Sequence, residues 1–326
     1  MRTAPTLLTD AVASGLVDPA EVVAGRAAIR PVLGSNLVHR VDRAGLAVAY
    51  VKQAGAASVL DLDDTVAVET QTLHRLAGLA PVPLVIAGGP ESVWTAPVAG
   101  VPLALLSTGD PSGTRLVDLA AARLGRALAD LHWVVLDLPA PIARIPWPLH
   151  PDRVLPSMRG AVAGSACAEV LAELNREPVR SALAAAAAGW RADAWIHGDL
   201  SAGNVIVADR RTVSLIDLEA AGCGDPGWDV VCAEAALAAV DPRPTGQRDS
   251  LTIFRTAYAE ASGLGQPTAA LRCARELMTA WQYAAAQHAH DARTLGSSGG
   301  PADRTAVRHL LASCRTEARA WLQEIS

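Results

Sequence analysis

The densest group of chemically capable side chains lies in His197-Gly198-Asp199-Leu200-Ser201-Ala202-Gly203-Asn204, followed by Ile216-Asp217-Leu218-Glu219 and Gly224-Asp225-Pro226-Gly227-Trp228-Asp229. Apolar runs flank it, at Ala194-Trp195-Ile196, Val205-Ile206-Val207 and Val213-Ser214-Leu215-Ile216. Three short strands are expected, the last two as a hairpin. A loop carrying an aspartate and, five positions on, an asparagine can aim both into one cleft, with the next strand end delivering Asp217. Such a set suits phosphoryl transfer from ATP. That reaction needs an acceptor-only group near the attacking hydroxyl and hard oxygen ligands for Mg²⁺, and Asp199, Asn204 and Asp217 can supply them. A metal-dependent hydrolase built on His197 is disfavoured, because no second histidine lies at ligand spacing.

Asp225 and Asp229 read as structural, since Gly224-Asp225-Pro226 is a good turn and N-cap ahead of a helix. Glu219 is compatible with either a structural or a functional role. His197, beside an apolar strand, reads as a hydrogen-bonded core histidine in preference to a general base.

A second candidate comes from composition. Lys52 is the only lysine; the other 27 of the 28 basic residues are arginine. It ends the run Ala47-Val48-Ala49-Tyr50-Val51, where a strand can hold its ammonium near the α- and β-phosphates of a nucleotide.

The elements that must position these groups follow from periodicity and punctuation. Residues 5–26 read as short helices, with Asp18-Pro19 as cap and first-turn proline. Strands are expected around Val32, over Leu37 to Val41 and over Leu46 to Val51. Asp63-Asp64-Thr65 then caps a helix from Val66 to about Ala77. Leu84-Val85-Ile86 and Ser92-Val93-Trp94-Thr95 follow as strands, separated by a Gly88-Gly89-Pro90 turn. After Pro97 to Pro102 the chain turns mainly helical: 116–132, 168–174, 180–190, then near 228–239, 248–261, 267–289 and 302–324. A proline-rich loop occupies 139–156, and Gly296 to Gly300 reads as a connector. These elements give an N-terminal helical cap over 1–26, a sheet lobe over 27–97 and a larger helical lobe over 98–326.

The motif run resembles the aminoglycoside phosphotransferase and choline kinase family, whose pattern H-G-D-x-x-x-x-N, I-D-x-E and G-D-P-x-x-D the segment Trp195 to Asp229 matches position by position. The order of elements from Val32 to Gly100 also resembles that family's N-terminal lobe. The resemblance implies an α+β, bilobal protein-kinase-like fold, with a small antiparallel sheet lobe carrying one helix and a larger, mainly helical lobe. It implies Asp199 as catalytic base or hydroxyl-orienting residue, and Asn204 and Asp217 as Mg²⁺ ligands. His197 would support the loop. Family members pair a third-strand lysine with a helix glutamate, which designates Lys52 and Glu69. Gly34-Ser35-Asn36 resembles the nucleotide-covering turn, although it lacks the G-x-G-x-x-G pattern and a plain hairpin turn is equally compatible. The adenine edge would be read by backbone groups of Thr95 or Val98, since Pro97 has no N–H to donate.

Composition excludes several classes. A 326-residue chain of 51% hydrophobic and 19% charged residues can bury a core. Its net charge of −5, 28 basic against 33 acidic residues, lacks the basic footprint of a nucleic-acid binder. No run approaches the roughly 20 apolar residues of a membrane span. Residues 1–10 do not form a signal-peptide core, so a cytoplasmic location is expected. Cys167, Cys223, Cys232, Cys273 and Cys314 are scattered, with no C-x-x-C pair, and are expected to be reduced and buried.

The acceptor is less legible. From Asp241 to Ser326 there are ten arginines against eight acids, whereas a polycationic aminoglycoside calls for clustered carboxylates. This balance permits a neutral or anionic hydroxyl compound, or a peptide Ser or Thr as in lanthipeptide-type precursors. Trp281, His288, His290 and Asp291 are candidates for the acceptor side. The alternatives are a catalytically silent kinase-fold partner of another modifying enzyme, or an aminoglycoside resistance kinase. Gly198 replaces the arginine of H-R-D, and no A-P-E segment follows Asp217-Leu218-Glu219. The site is therefore expected to need no activating phosphorylation. Turnover should be equal before and after phosphatase treatment, with mass spectrometry confirming the phosphate-free chain; a fall after treatment would contradict this.

Overall fold

The structure, a computed structural model, describes residues 3–32, 37–53, 65–89, 91–106, 111–136, 143–150, 166–208, 212–244, 246–247, 249–294 and 305–325. The chain divides into two compact units, one of Met1–Pro141, Trp195–Gly222 and Ala233–Leu264, the other of Ile142–Ala194, Cys223–Cys232 and Gly265–Ser326.

The first half of the chain runs α1 (Ala4–Ala13), α2 (Pro19–Val23), β1 (Ala27–Val32), β2 (Leu37–Arg43), β3 (Leu46–Gln53), α3 (Thr65–Leu76), β4 (Val85–Gly89), β5 (Ser92–Thr95), β6 (Val101–Pro102) and α4 (Pro111–His132). The remainder comprises α5 (Ala166–Leu174), α6 (Val179–Ala188), β7 (Ala194–Ile196), β8 (Val205–Ala208), β9 (Thr212–Leu215), β10 (Gly222–Gly224), α7 (Pro226–Val240), α8 (Asp249–Ser262), α9 (Ala269–Thr294) and α10 (Thr305–Glu324). A small antiparallel sheet and a mostly helical remainder make an α+β fold.

In the first unit, β1 to β5 form an antiparallel sheet in the order β1-β2-β3-β5-β4. Successive side chains of a strand point to opposite faces. Ala49 and Val51 of β3 share one face, buried with Leu7 and Ala11 of α1 and with Val41 and Trp94. Lys52, one residue further on, is thereby directed to the other face. The turn into α2 forms as expected: the Asp18 carboxylate accepts from the Ala20 N–H at 2.7 Å, and Glu21 accepts from the Asp18 N–H at 3.2 Å. The expected cap Asp63-Asp64 of α3 lies outside the described residues.

A second sheet, β6-β8-β9, contains the expected hairpin, with Val205 opposite Leu215 and Ala208 opposite Thr212. The two-residue β6 was not expected, being too short to show alternation. Helix α4 starts at Pro111, five residues before its apolar pattern begins at Leu116, because proline is well suited to a first helical turn. Gly88 and Gly89 extend β4 where a turn was expected; Gly88 pairs with Val93 and Gly89 with Ser92.

Helix α4 packs on α8. Gly125 permits the close approach: a Cβ there would stand 2.8 Å from the Phe254 carbonyl oxygen. An ion-pair network adds to this contact. The Arg243 guanidinium donates to Asp241 at 2.7 and 2.9 Å, to Asp249 at 3.1 Å and to Asp118 of α4. Ser250 at the start of α8 donates to Asp241 as well.

In the second unit α5, α6, α9 and α10 pack together. Arg315 of α10 donates to Glu173 of α5 at 3.0 Å, and the Sγ atoms of Cys273 and Cys314 lie 3.3 Å apart. None of the five cysteines forms a disulfide, and all five are buried. Asp225 is the expected turn and cap, accepting from the Gly227 N–H at 2.8 Å and from the Arg191 N–H at 3.3 Å. No helix among the described residues is long and apolar enough to cross a membrane.

Burial works against ionisation of Asp241, but the hydrogen bonds from Arg243 and Ser250 outweigh it and depress its pKa from 3.8 to about 2. A depressed folded-state pKa contributes stability that is present above the unfolded value and lost as pH falls towards the folded one. Asp241→Asn should cost roughly 2 kcal/mol at neutral pH, and the gap to wild type should close between about pH 4 and 2. Urea unfolding across that range measures it; a gap independent of pH would contradict the assignment.

Candidate active site

The loop that follows β7 is held from both ends. His197 is buried, and its Nε2–H donates to the Ile216 carbonyl at 2.9 Å. That tautomer leaves Nδ1 to accept the Asp199 N–H at 3.4 Å. The histidine therefore ties the loop to the end of β9, the supporting role expected of it. Asn204 closes the loop: its Nδ2 donates to the Asp199 carbonyl at 3.0 Å, and its own carbonyl accepts from the Ile216 N–H at 3.0 Å.

Gly198 has φ +83°, and a Cβ there would lie 2.3 Å from the Ala220 carbonyl oxygen. No side chain fits, which gives a steric reason for glycine between the histidine and the aspartate. Asp217 also adopts the left-handed region, at φ 65° and ψ 58°. This conformation costs an aspartate energy and persists where the surroundings enforce it.

Those surroundings include Lys52. Its Nζ lies 2.8 Å from Glu69, 2.5 Å from Asp217 and 2.9 Å from Glu219. The lysine comes from β3, Glu69 from α3, and Asp217 and Glu219 from the 3-10 turn Leu218–Ala220 and its cap. Glu69 makes a second link by accepting the Leu218 N–H at 3.3 Å. Burial alone would make the ammonium easier to deprotonate, but Glu69, Asp217 and Glu219 together raise its pKa above the ordinary lysine value. Burial pushes Glu69 the other way, raising its pKa, with Lys52 opposing.

The first unit thus contains Asp199, Asn204, Asp217, Lys52 and Glu69 in two bonded sets, one around Asn204 and one around Lys52, that meet where Ile216 passes to Asp217 in the chain. Thr95 stands between Tyr50 of β3 and Val85 of β4, while Val98, itself half-buried, follows beyond the ladder between exposed Pro97 and Ala99. Gly34, Ser35 and Asn36 lie outside the described residues, as do the side chains of His288, His290 and Asp291. Glu219 is the participant that sequence reasoning left undecided. Its place two residues after Asp217 in the I-D-x-E run was the only signal that the sequence carried.

Among the described residues no group of three His, Cys, Asp or Glu side chains has the arrangement of a metal site. A hard cation nevertheless suits the Asn204 and Asp217 oxygens. With Asn204 Nδ2 engaged by the Asp199 carbonyl, its Oδ1 is the atom available for coordination.

This is the fold of the protein-kinase-like phosphotransferases. The chain belongs to the phosphotransferase enzyme family, whose model matches residues 34–277. No curated protein matches the sequence. Among solved structures, the chain is similar to a choline kinase from Cryptosporidium parvum at 11% identity and TM-score 0.63, covering 98% of this chain and 97% of that one. A putative fructosamine-3-kinase from Thermobifida fusca is similar at 22% identity and TM-score 0.54, covering 93% and 99%. The protein LicA in complex with AMP is similar at 12% identity and TM-score 0.60, covering 96% and 98%.

Gly198→Ala should destabilise the fold by about 2–4 kcal/mol, combining left-handed strain with a backbone clash, and should remove activity by displacing Asp199. Thermal unfolding and turnover measure both; an alanine variant of wild-type stability would contradict the clash.

Proposed function

We propose that the protein transfers the γ-phosphoryl group of ATP to a hydroxyl of a small molecule, using Mg²⁺. The observation that carries this is the position of Lys52, the sole lysine, against Glu69 of a helix and Asp217 of the loop motif at once. The AMP bound to a structure of the same fold supports an adenine nucleotide. No observation favours a peptide acceptor, a partner enzyme or a silent role.

Asp199 accepts the proton of the acceptor hydroxyl as its oxygen bonds to the γ-phosphorus and the bond to the bridging oxygen breaks, releasing ADP. Asn204 holds the loop through the Asp199 carbonyl and offers Oδ1, with the Asp217 carboxylate, to Mg²⁺. The metal, when bound, offsets charge on the transferring group. Lys52 steadies the α- and β-phosphates, and Glu69 restrains its ammonium. Asp217 serves the metal by exchanging its contact with Lys52, while Glu69 and Glu219 retain theirs. Gly34, Ser35 and Asn36 cover the nucleotide. Val98, beyond the ladder, reads the adenine edge, with Thr95 fixing where that segment leaves the sheet.

Turnover of ATP with Mg²⁺ against sugars, amino alcohols, aminoglycosides and Ser/Thr peptides, read as mass gain on the acceptor, tests the reading. Asp199→Asn should lower transfer by about a hundred- to ten-thousand-fold and leave nucleotide affinity nearly unchanged. Asp217→Asn, which suits the left-handed backbone, should weaken MgATP more than metal-free ATP. Transfer to none of these hydroxyls, or full activity of Asp199→Asn, would overturn the proposal.

A further inference from the structure

The second unit holds a group of buried polar atoms for which its fold provides no partner among the described residues. The 3-10 turn Trp147–Leu149 packs against both α6 and α9. The His150 N–H donates to the Trp147 carbonyl at 2.9 Å and closes this turn. His150 ends the turn in a non-helical conformation, at φ −133° and ψ 65°. Trp281 of α9 is 4% exposed, and its ring meets that of Trp147 edge to face, 5.5 Å between centroids. Trp147 Nε1, Trp281 Nε1 and His150 Nε2 are each shielded from solvent, and none finds a hydrogen-bond partner among the described residues.

A buried N–H without an acceptor costs about 1–3 kcal/mol, and such groups are rare in folded proteins. Two such donors on indole rings in contact, those of Trp147 and Trp281, call for an oxygen-bearing ligand, and the unpartnered His150 Nε2 follows the same turn. An indole N–H only donates, so a group that itself only donates, such as an ammonium, cannot satisfy it. Indole faces, in turn, accept the C–H surface of a saturated ring or a cation. The two requirements meet in a carbohydrate-like molecule, whose ring hydroxyl and ether oxygens accept while its C–H face packs on an indole.

We infer that Trp147, His150 and Trp281 form a binding site for a neutral, polyhydroxylated ring compound, recognised through its oxygens. Naming this compound the phosphate acceptor rests on the phosphotransferase reading; the binding itself does not.

The test uses the full-length protein without nucleotide or Mg²⁺, titrated with methyl β-D-glucopyranoside, D-ribose and myo-inositol, with choline as cationic comparator. Binding is followed by calorimetry and by ¹⁵N-indole resonances. At least one of the three polyols should saturate and shift the Trp147 and Trp281 Nε1–H signals. Trp147→Phe and Trp281→Phe, which keep an aromatic ring and lose the donor, should each bind about five- to ten-fold more weakly. Where a variant unfolds, the indole shifts of the wild-type protein decide. The inference is overturned if no polyol saturates, if both indole signals stay still, if both phenylalanine variants bind as tightly as wild type, or if choline binds in place of the polyols. Phosphoryl transfer to an acceptor that leaves these indoles unmoved would sink this site and keep the phosphotransferase reading. Polyol binding with no transfer to any hydroxyl would do the reverse.

Discussion

A single buried ammonium organises the candidate site in the first unit. The Lys52 side chain is 8% exposed, and Glu69 and Glu219 are as deeply buried. Taking such charges out of water costs several kcal/mol per ion, recovered only when partners are close and well placed. Lys52 meets that condition by drawing one carboxylate from a helix and two from a turn distant in sequence. The sheet, α3 and the end of the hairpin are therefore fixed relative to one another by electrostatics as well as by apolar packing. One positive charge faces three carboxylates, so the cluster carries excess negative charge while all are ionised. A cation lowers that excess, and Asp217 is the most exposed of the three acids, at 29% of its side chain.

The loop geometry follows from the same constraint. Asp217 must present its carboxylate to Lys52 while its backbone starts the turn that delivers Glu219, and the left-handed conformation does both. Glu69 stabilises that arrangement from the other side by taking the Leu218 N–H. The turn then brings the Ala220 carbonyl against Gly198, which sets the space available beside Asp199. A steric demand at position 198 thus traces back, through the turn from Asp217 to Ala220, to an ion pair made by a strand in another part of the sequence.

How much of this could be read beforehand differed by interaction range. The β8–β9 hairpin and most helices were legible because apolar periodicity and local punctuation dictate them. The pairing of Lys52 with Glu69 was reached through resemblance, since the two lie on different elements and α3 contains other polar positions. Glu219 stayed undecided because its role depends on where β3 is, a tertiary fact. The left-handed state of Asp217 gave no signal, as aspartate in a turn commonly has a negative φ. Trp281 was legible as a candidate for the acceptor side, but its grouping with Trp147 and His150 was beyond reach for the same reason as Glu219. A proline-rich turn supplies Trp147 and His150 and a distant helix Trp281, and only packing joins them.

The unusual use of basic residues also acquires a physical sense. Arg243 shows what the 27 arginines do well: a planar fork spans several carboxylates at once, reaching Asp118, Asp241 and Asp249 along different directions. The site around Lys52 asks for the opposite shape. Three carboxylates converge to within 2.9 Å of one atom, a geometry that a compact ammonium satisfies and a flat guanidinium does not. A composition that prefers arginine elsewhere therefore retains lysine at the position where charge must be concentrated on a point, which is also the geometry suited to phosphate oxygens arriving from a nucleotide.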